Sequence, residues 1–150
     1  GYFVFFFMTT LFLWEERKRK WILPLWLSLG VSLFIAYLLK ILIIRERPYL
    51  AFQFVNSLMT DTNPLKSFPS GHATAVFSAL AVLDKEFPRL KWFWLCFACL
   101  VAFSRIYLGV HYLSDVIAGA LIGVSIGSFF VWSEEKYRIH KIFKLIKKKI

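Results

Sequence analysis

The stretch Trp21–Ile44 limits the fold more than any other part of this chain. It runs for 24 residues and carries one charge, Lys40, near its end. A helix of that length rises roughly 36 Å, enough to cross a hydrocarbon core of about 30 Å. The rest of the sequence agrees. Apolar residues make up 59% and charged ones 19%, so the charges must be segregated from the apolar runs. That balance excludes an ordinary soluble domain and predicts an all-α integral membrane bundle. The net charge of +10 would suggest nucleic acid in a soluble protein. Here the basic residues lie between hydrophobic runs, so they report topology and contact with anionic lipid, and no nucleic acid partner is expected.

Four further runs complete the bundle. Gly1–Trp14 is short and is followed by Glu15-Glu16-Arg17-Lys18-Arg19-Lys20, unlike a signal peptide, which ends in small residues. It reads as the remainder of a transmembrane helix. The others are His72–Leu83, Trp92–Tyr107 and Val116–Trp132. The two middle runs are short for full spans, which implies polar residues at His72 and Arg105 sunk below the membrane surface. The expected organisation is therefore five visible transmembrane helices in residues 1–133 and a basic amphipathic tail in 134–150. In that tail Ile139, Ile142, Phe143, Ile146 and Ile150 recur at helical spacing between lysines, as in a helix lying on anionic lipid.

Lys and Arg set the orientation. Arg17, Lys18, Arg19, Lys20, Lys85, Arg89, Lys91 and seven residues of the tail fall on one side of a five-run topology. Lys40, Arg45, Arg47, Lys66 and Arg105 fall on the other. Fourteen against five puts the tail in the cytoplasm and the loops after the second and fourth runs outside.

Those outer loops carry the chemistry. Lys40, Arg47 and Arg105 are three cations suited to a phosphate dianion and to the charge its transition state gains. Pro48 is expected to end the helical segment that holds Lys40 and Arg47. Ser70 and Gly71 precede a helix beginning near His72, the usual place for backbone N–H groups to hold an anion. His111 and Asp115 are four apart, one helical turn on one face, so the carboxylate would orient the imidazole. His72 remains as general acid for a leaving oxygen.

The pattern Lys40–Pro48 reads K-x6-R-P, Pro69–His72 reads P-S-G-H, and Ser104–Asp115 reads S-R-x5-H-x3-D. Together they resemble the three-part signature of the type 2 phosphatidic acid phosphatase (PAP2) superfamily, whose members include membrane lipid phosphatases. The resemblance implies that His111 attacks phosphorus to form a phosphohistidine, Asp115 holds it, and His72 protonates the leaving group. It implies that Lys40, Arg47, Ser70, Gly71, Ser104 and Arg105 bind the phosphate, and that no metal or other cofactor is needed. It implies six helices, one of them before Gly1, in a bacterial inner membrane with the site facing the periplasm. The substrate would be a lipid phosphate or diphosphate: undecaprenyl pyrophosphate, lipid A 1-phosphate, phosphatidylglycerol phosphate or phosphatidic acid. The alternative is a phosphotransferase that passes the group to an acceptor other than water.

The remaining features read as structural. Cys96 and Cys99 lie in an apolar run and are expected to fill core space. Trp14, Trp21, Trp92 and Trp132 look like interface belts. Asp61-Thr62-Asn63-Pro64 reads as a turn, and His140 as a solvated or lipid-facing residue. The short Tyr49–Phe68 loop favours a bulky headgroup, hence lipid A or a polyprenyl diphosphate.

Overall fold

The computed structural model describes residues 2–16, 18–51 and 65–141. The Asp61–Pro64 turn, most of the Tyr49–Phe68 loop and the tail beyond Lys141 lie outside the described residues. Among the described residues six α-helices follow one another: α1 (Tyr2–Glu15), α2 (Ile22–Leu42), α3 (Pro48–Ala51), α4 (Gly71–Glu86), α5 (Lys91–Tyr107) and α6 (Leu113–Tyr137). All but the short α3 correspond to the five hydrophobic runs. Among the described residues the only pairing of extended backbone is a single bridge between Arg45 and Lys66. Among the described residues three spans are long and apolar enough to cross a membrane: Arg19–Leu42, Pro88–Tyr107 and Leu113–Tyr137. At 16 residues α4 rises only about 24 Å, so one of its ends must sit below a membrane surface.

Helix α4 is the centre of the bundle and packs on α2, α5 and α6. The α4–α6 seam is the tightest, and the sequence explains it. Gly119, Gly123 and Gly127 fall one turn apart on α6. A Cβ at these positions would meet Ser70 O at 2.6 Å, Thr74 O at 2.4 Å and Ser78 O at 2.5 Å. Only glycine permits that approach, the small-xxx-small device of membrane helices. The matching order of the contacts makes α4 and α6 parallel, with α5 returning between them. Their N-termini therefore share one end of the bundle with the C-termini of α2 and α5. This will be called the signature end.

Toward the opposite end, Phe6, Leu13, Trp21, Leu25, Leu29, Ala79 and Val82 form the main apolar core. Elsewhere large apolar side chains face outward, among them Phe34, Phe93, Leu100, Phe103 and Leu121, as a lipid-facing surface requires.

Several expectations change. Helix α2 stops at Leu42, five residues before Arg47, and Pro48 opens the short α3 instead of ending a helix. Ile43 already has extended backbone, φ −112° and ψ 95°, which starts the stretch that pairs with Lys66. Cys96 and Cys99 are free and exposed on α5, because α5 turns most of its surface outward and buries only Ala98 and Ala102. Trp21 is buried, not in a belt, with its indole N–H donated to Glu86. His140 is tied to Glu134 through its ring Nδ1 and its backbone N–H.

Candidate active site

Each signature residue reaches the signature end from a different element. Lys40 sits in the last turn of α2, where its Nζ donates to Lys66 O at 2.9 Å and Ser67 O at 3.4 Å. Arg47 is buried in the linker, and its Nη1 donates to Val110 O at 3.0 Å. Ser70 is the N-cap of α4. Its Oγ accepts from Ala73 N, and its own N–H donates to Asp115 O at 2.9 Å. Gly71 and His72 form the first turn of α4, where N–H groups lack helical acceptors. Ser104 and Arg105 occupy the last turn of α5. Ser104 Oγ donates to Val101 O at 2.7 Å and accepts from Arg105 Nε at 3.1 Å. The Arg105 carbonyl accepts from the N–H groups of Val110 and His111, each at 3.3 Å. Gly109 makes the turn between α5 and α6 with a positive φ of 67°, a conformation suited to glycine.

His111 lies in that turn, not on a helix. Tyr112 is the N-cap of α6, so Asp115 sits at its third position. The four-residue spacing thus works differently from one turn of helix. The Asp115 carboxylate folds back over its own N-terminus and accepts the Tyr112 N–H at 2.9 Å. Its remaining valences are filled from far along the chain. Ser67 Oγ donates to Oδ2 at 2.6 Å, and Arg45 Nη1 donates to Oδ1 at 2.7 Å. Asp115 is 0% exposed and His111 5%. The imidazole Nδ1 is 3.6 Å from Oδ2, just beyond hydrogen-bond range.

Burial lowers the proton affinity of His111. Asp115 opposes that effect, and the positive charges of Lys40 and Arg47 add to it. The ring is therefore neutral at pH 7, with an unprotonated nitrogen in a cationic setting. That is the state a nitrogen nucleophile needs, facing a site that attracts anions.

Two contributors escaped the sequence reading. Arg45 entered only as a topology charge, and Ser67 was not singled out. For Arg45 a signal existed: in an extended segment positions 45 and 47 fall on one face, so the second arginine of R-E-R-P belongs beside the first. For Ser67 the sequence holds no comparable signal, since its role depends on how the two linkers pair.

An all-helical membrane bundle with a neutral buried histidine inside a cationic end belongs to the class of membrane-embedded phosphatases. The profile of the PAP2 superfamily matches residues 21–139. The chain belongs to that superfamily. It is similar to the undecaprenyl-diphosphatase of Sulfolobus acidocaldarius, with 35% identity over 93% of this chain and 68% of the relative. Its fold is similar to the crystal structure of LpxE from Aquifex aeolicus, with TM-score 0.76, 33% identity and coverage of 83% and 74%. It is also similar to the transmembrane PAP2-type phosphatidylglycerolphosphate phosphatase of Bacillus subtilis, with TM-score 0.73, 26% identity and coverage of 90% and 69%. Other curated relatives are spanned over about two fifths to two thirds of their length.

Proposed function

We propose that this chain is a lipid phosphatase that hydrolyses a lipid phosphate or diphosphate through a phosphohistidine on His111. The observation that carries this reading is the neutral, buried imidazole of His111, set against Asp115 and among Lys40 and Arg47. With Nδ1 turned to Asp115, Nε2 is the nitrogen offered to substrate. It attacks phosphorus as the bond from phosphorus to the leaving oxygen breaks, and His72 supplies the proton that oxygen takes. Water then attacks the phosphohistidine and gives its proton to His72. Phosphate departs and both histidines return to their starting states. Lys40, Arg47, Arg105, Ser104, the Ser70 hydroxyl and the first-turn N–H groups of Gly71 and His72 would hold the phosphoryl oxygens, whose charge grows in the transition state.

The names of the similar proteins support a polyprenyl diphosphate or phosphatidylglycerol phosphate as the first substrates to test. The Lys and Arg asymmetry supports a signature end that faces the periplasm of a bacterial inner membrane, with residues 134–150 as a cytoplasmic tail on anionic lipid. The test is phosphate release from a panel of purified lipids in detergent with EDTA, for the intact chain and His111→Ala. Release by the first and none by the second is expected. Release that stops with EDTA would overturn metal independence. Release that appears only when an acceptor alcohol is added would make the chain a transferase.

A further inference from the structure

Asp115 has one negative charge and more claimants than His111. The carboxylate is fully buried and already accepts three hydrogen bonds, at 2.6, 2.7 and 2.9 Å. One of them is an ion pair with the guanidinium of Arg45. The histidine stands outside this set at 3.6 Å. Arg45 is itself held on several sides. Its guanidinium lies 4.1 Å from the centre of the Tyr112 ring, and its Nη1 also donates to Ser114 Oγ at 2.8 Å. Its backbone pairs with the segment that carries Ser67: Arg45 N–H to Leu65 O at 3.1 Å, and Ser67 N–H to Arg45 O at 3.0 Å. The two side chains that hold Asp115 are thus mounted on one paired unit. Lys40 fastens that unit to the end of α2 through Lys66 O and Ser67 O.

We infer that Arg45 and Ser67 are positioning residues that ration the charge of Asp115, keeping its carboxylate aimed at His111 yet engaged elsewhere until the imidazole needs it. This rests on the phosphohistidine reading above and adds a residue outside the three signature patterns. The charged groups that act on His111 among the described residues are Lys40 from α2, Arg47 from the linker and Asp115 from α6, while Arg45, His72 and Arg105 share the same end of the bundle. Asp115 is the anion of that described set, so whatever weakens its partners strengthens its hold on the imidazole. With Arg45 and Ser67 in place, an oxygen of Asp115 becomes fully available to Nδ1 only as positive charge develops on the ring during attack. The carboxylate then stabilises the transition state more than the resting state, which is the condition for catalysis.

The experiment is a pH titration of the histidine ring signals by NMR on the full chain in detergent, with His111 assigned from the signal lost in His111→Ala. It is run for the native chain, Arg45→Gln, Arg45→Lys and Ser67→Ala, alongside pH profiles of kcat/KM. Arg45→Gln is expected to raise the proton affinity of His111 by about tenfold or more. Ser67→Ala should raise it less, and Arg45→Lys should keep most of the native value. The acid limb of kcat/KM should move up by the same amount, with kcat falling more than KM rises. A purely structural role would lower kcat and leave the titration where it was. A His111 signal unmoved in both Arg45→Gln and Ser67→Ala overturns the inference. The NMR readout does not need turnover, so failure of the phosphatase reading would appear separately, as a native chain that releases no His111-dependent phosphate.

Discussion

Both ends of the bundle bury a carboxylate beside a histidine, and the two pairs are built in opposite ways. At the signature end Asp115 is held by Arg45 and Ser67, residues some 70 and 48 positions away, and His111 waits at 3.6 Å. At the other end Glu134 is 3% exposed, and His140 reaches it from six residues on, through both ring Nδ1 and backbone N–H. The bond is made by a local reversal at Arg138, whose φ of 52° ends α6. A pocket of about 560 Å³ opens there, lined in part by Lys20, Lys85, Glu86 and Lys141. The lesson lies in what each histidine has left to give. His140 has committed its Nδ1 to an immediate partner and closes a helix end. His111 stands back from a carboxylate already engaged by others, so in the proposed mechanism that carboxylate is still able to meet the charge that develops on the ring.

The comparison breaks most sharply through the carboxylates. Asp115→Ala should lower kcat by about 100-fold or more, whereas Glu134→Gln should leave phosphate release within about twofold of native. Equal losses from both would show that the two pairs are doing the same job. Next in size is the seam. Gly119→Ala would press a methyl against Ser70 O, 2.6 Å from the ideal Cβ. It should cost about 1–3 kcal/mol by overpacking, read as a lower melting temperature in detergent, and should cut kcat at least tenfold because Ser70 caps the phosphate-binding turn.

The pH dependence of stability sharpens the contrast further. The folded proton affinity of His111 lies below its ordinary value of about 6.5. The unfolded chain therefore binds this proton more readily, and the folded state loses stability as the pH falls through 6.5 and below. In His111→Ala that share of the acid sensitivity should vanish from a melting series between pH 7.5 and 5. The smallest effect is expected for His140→Ala. Loss of the Glu134 bond at a helix end should lower stability by about 1 kcal/mol, with kcat unchanged.

Much of this was legible in the sequence because it is periodic or positional. The apolar runs declare the helices, and their alternating direction brings Lys40, Ser70–His72, Arg105 and His111–Asp115 to one end. What escaped depends on the path of backbone between helices. The end of α2 at Leu42 frees Arg45 to pair with Lys66, and no hydrophobic period marks that change. The spacing of His111 and Asp115 suggested neighbours on a helix. The caps show why four residues also suit a histidine just outside a helix and an acid at its third position. Likewise the apolar neighbours of Cys96 and Cys99 mean burial in a water-soluble protein, whereas in a bilayer they mean either face of a helix, and both thiols are exposed on α5. The seam glycines were visible as letters, but their partners Ser70, Thr74 and Ser78 emerge only once α4 and α6 are known to run parallel.

That seam has a consequence of its own. Three identical notches spaced four residues apart on both helices resemble a zip with equal teeth, and such a closure does not by itself know where to start. Slid by one turn, two glycines would still find a carbonyl, while Asp115 or Val131 would be driven into the third notch. The true alignment is pinned at its two ends. Ser70 N–H donates to Asp115 O at one, and Lys85 meets Glu135 at 2.6 Å at the other. The first pin joins the first turn of α4 to Asp115, so in the proposed mechanism the bond that indexes the zip also sets the distance across which phosphorus must be reached.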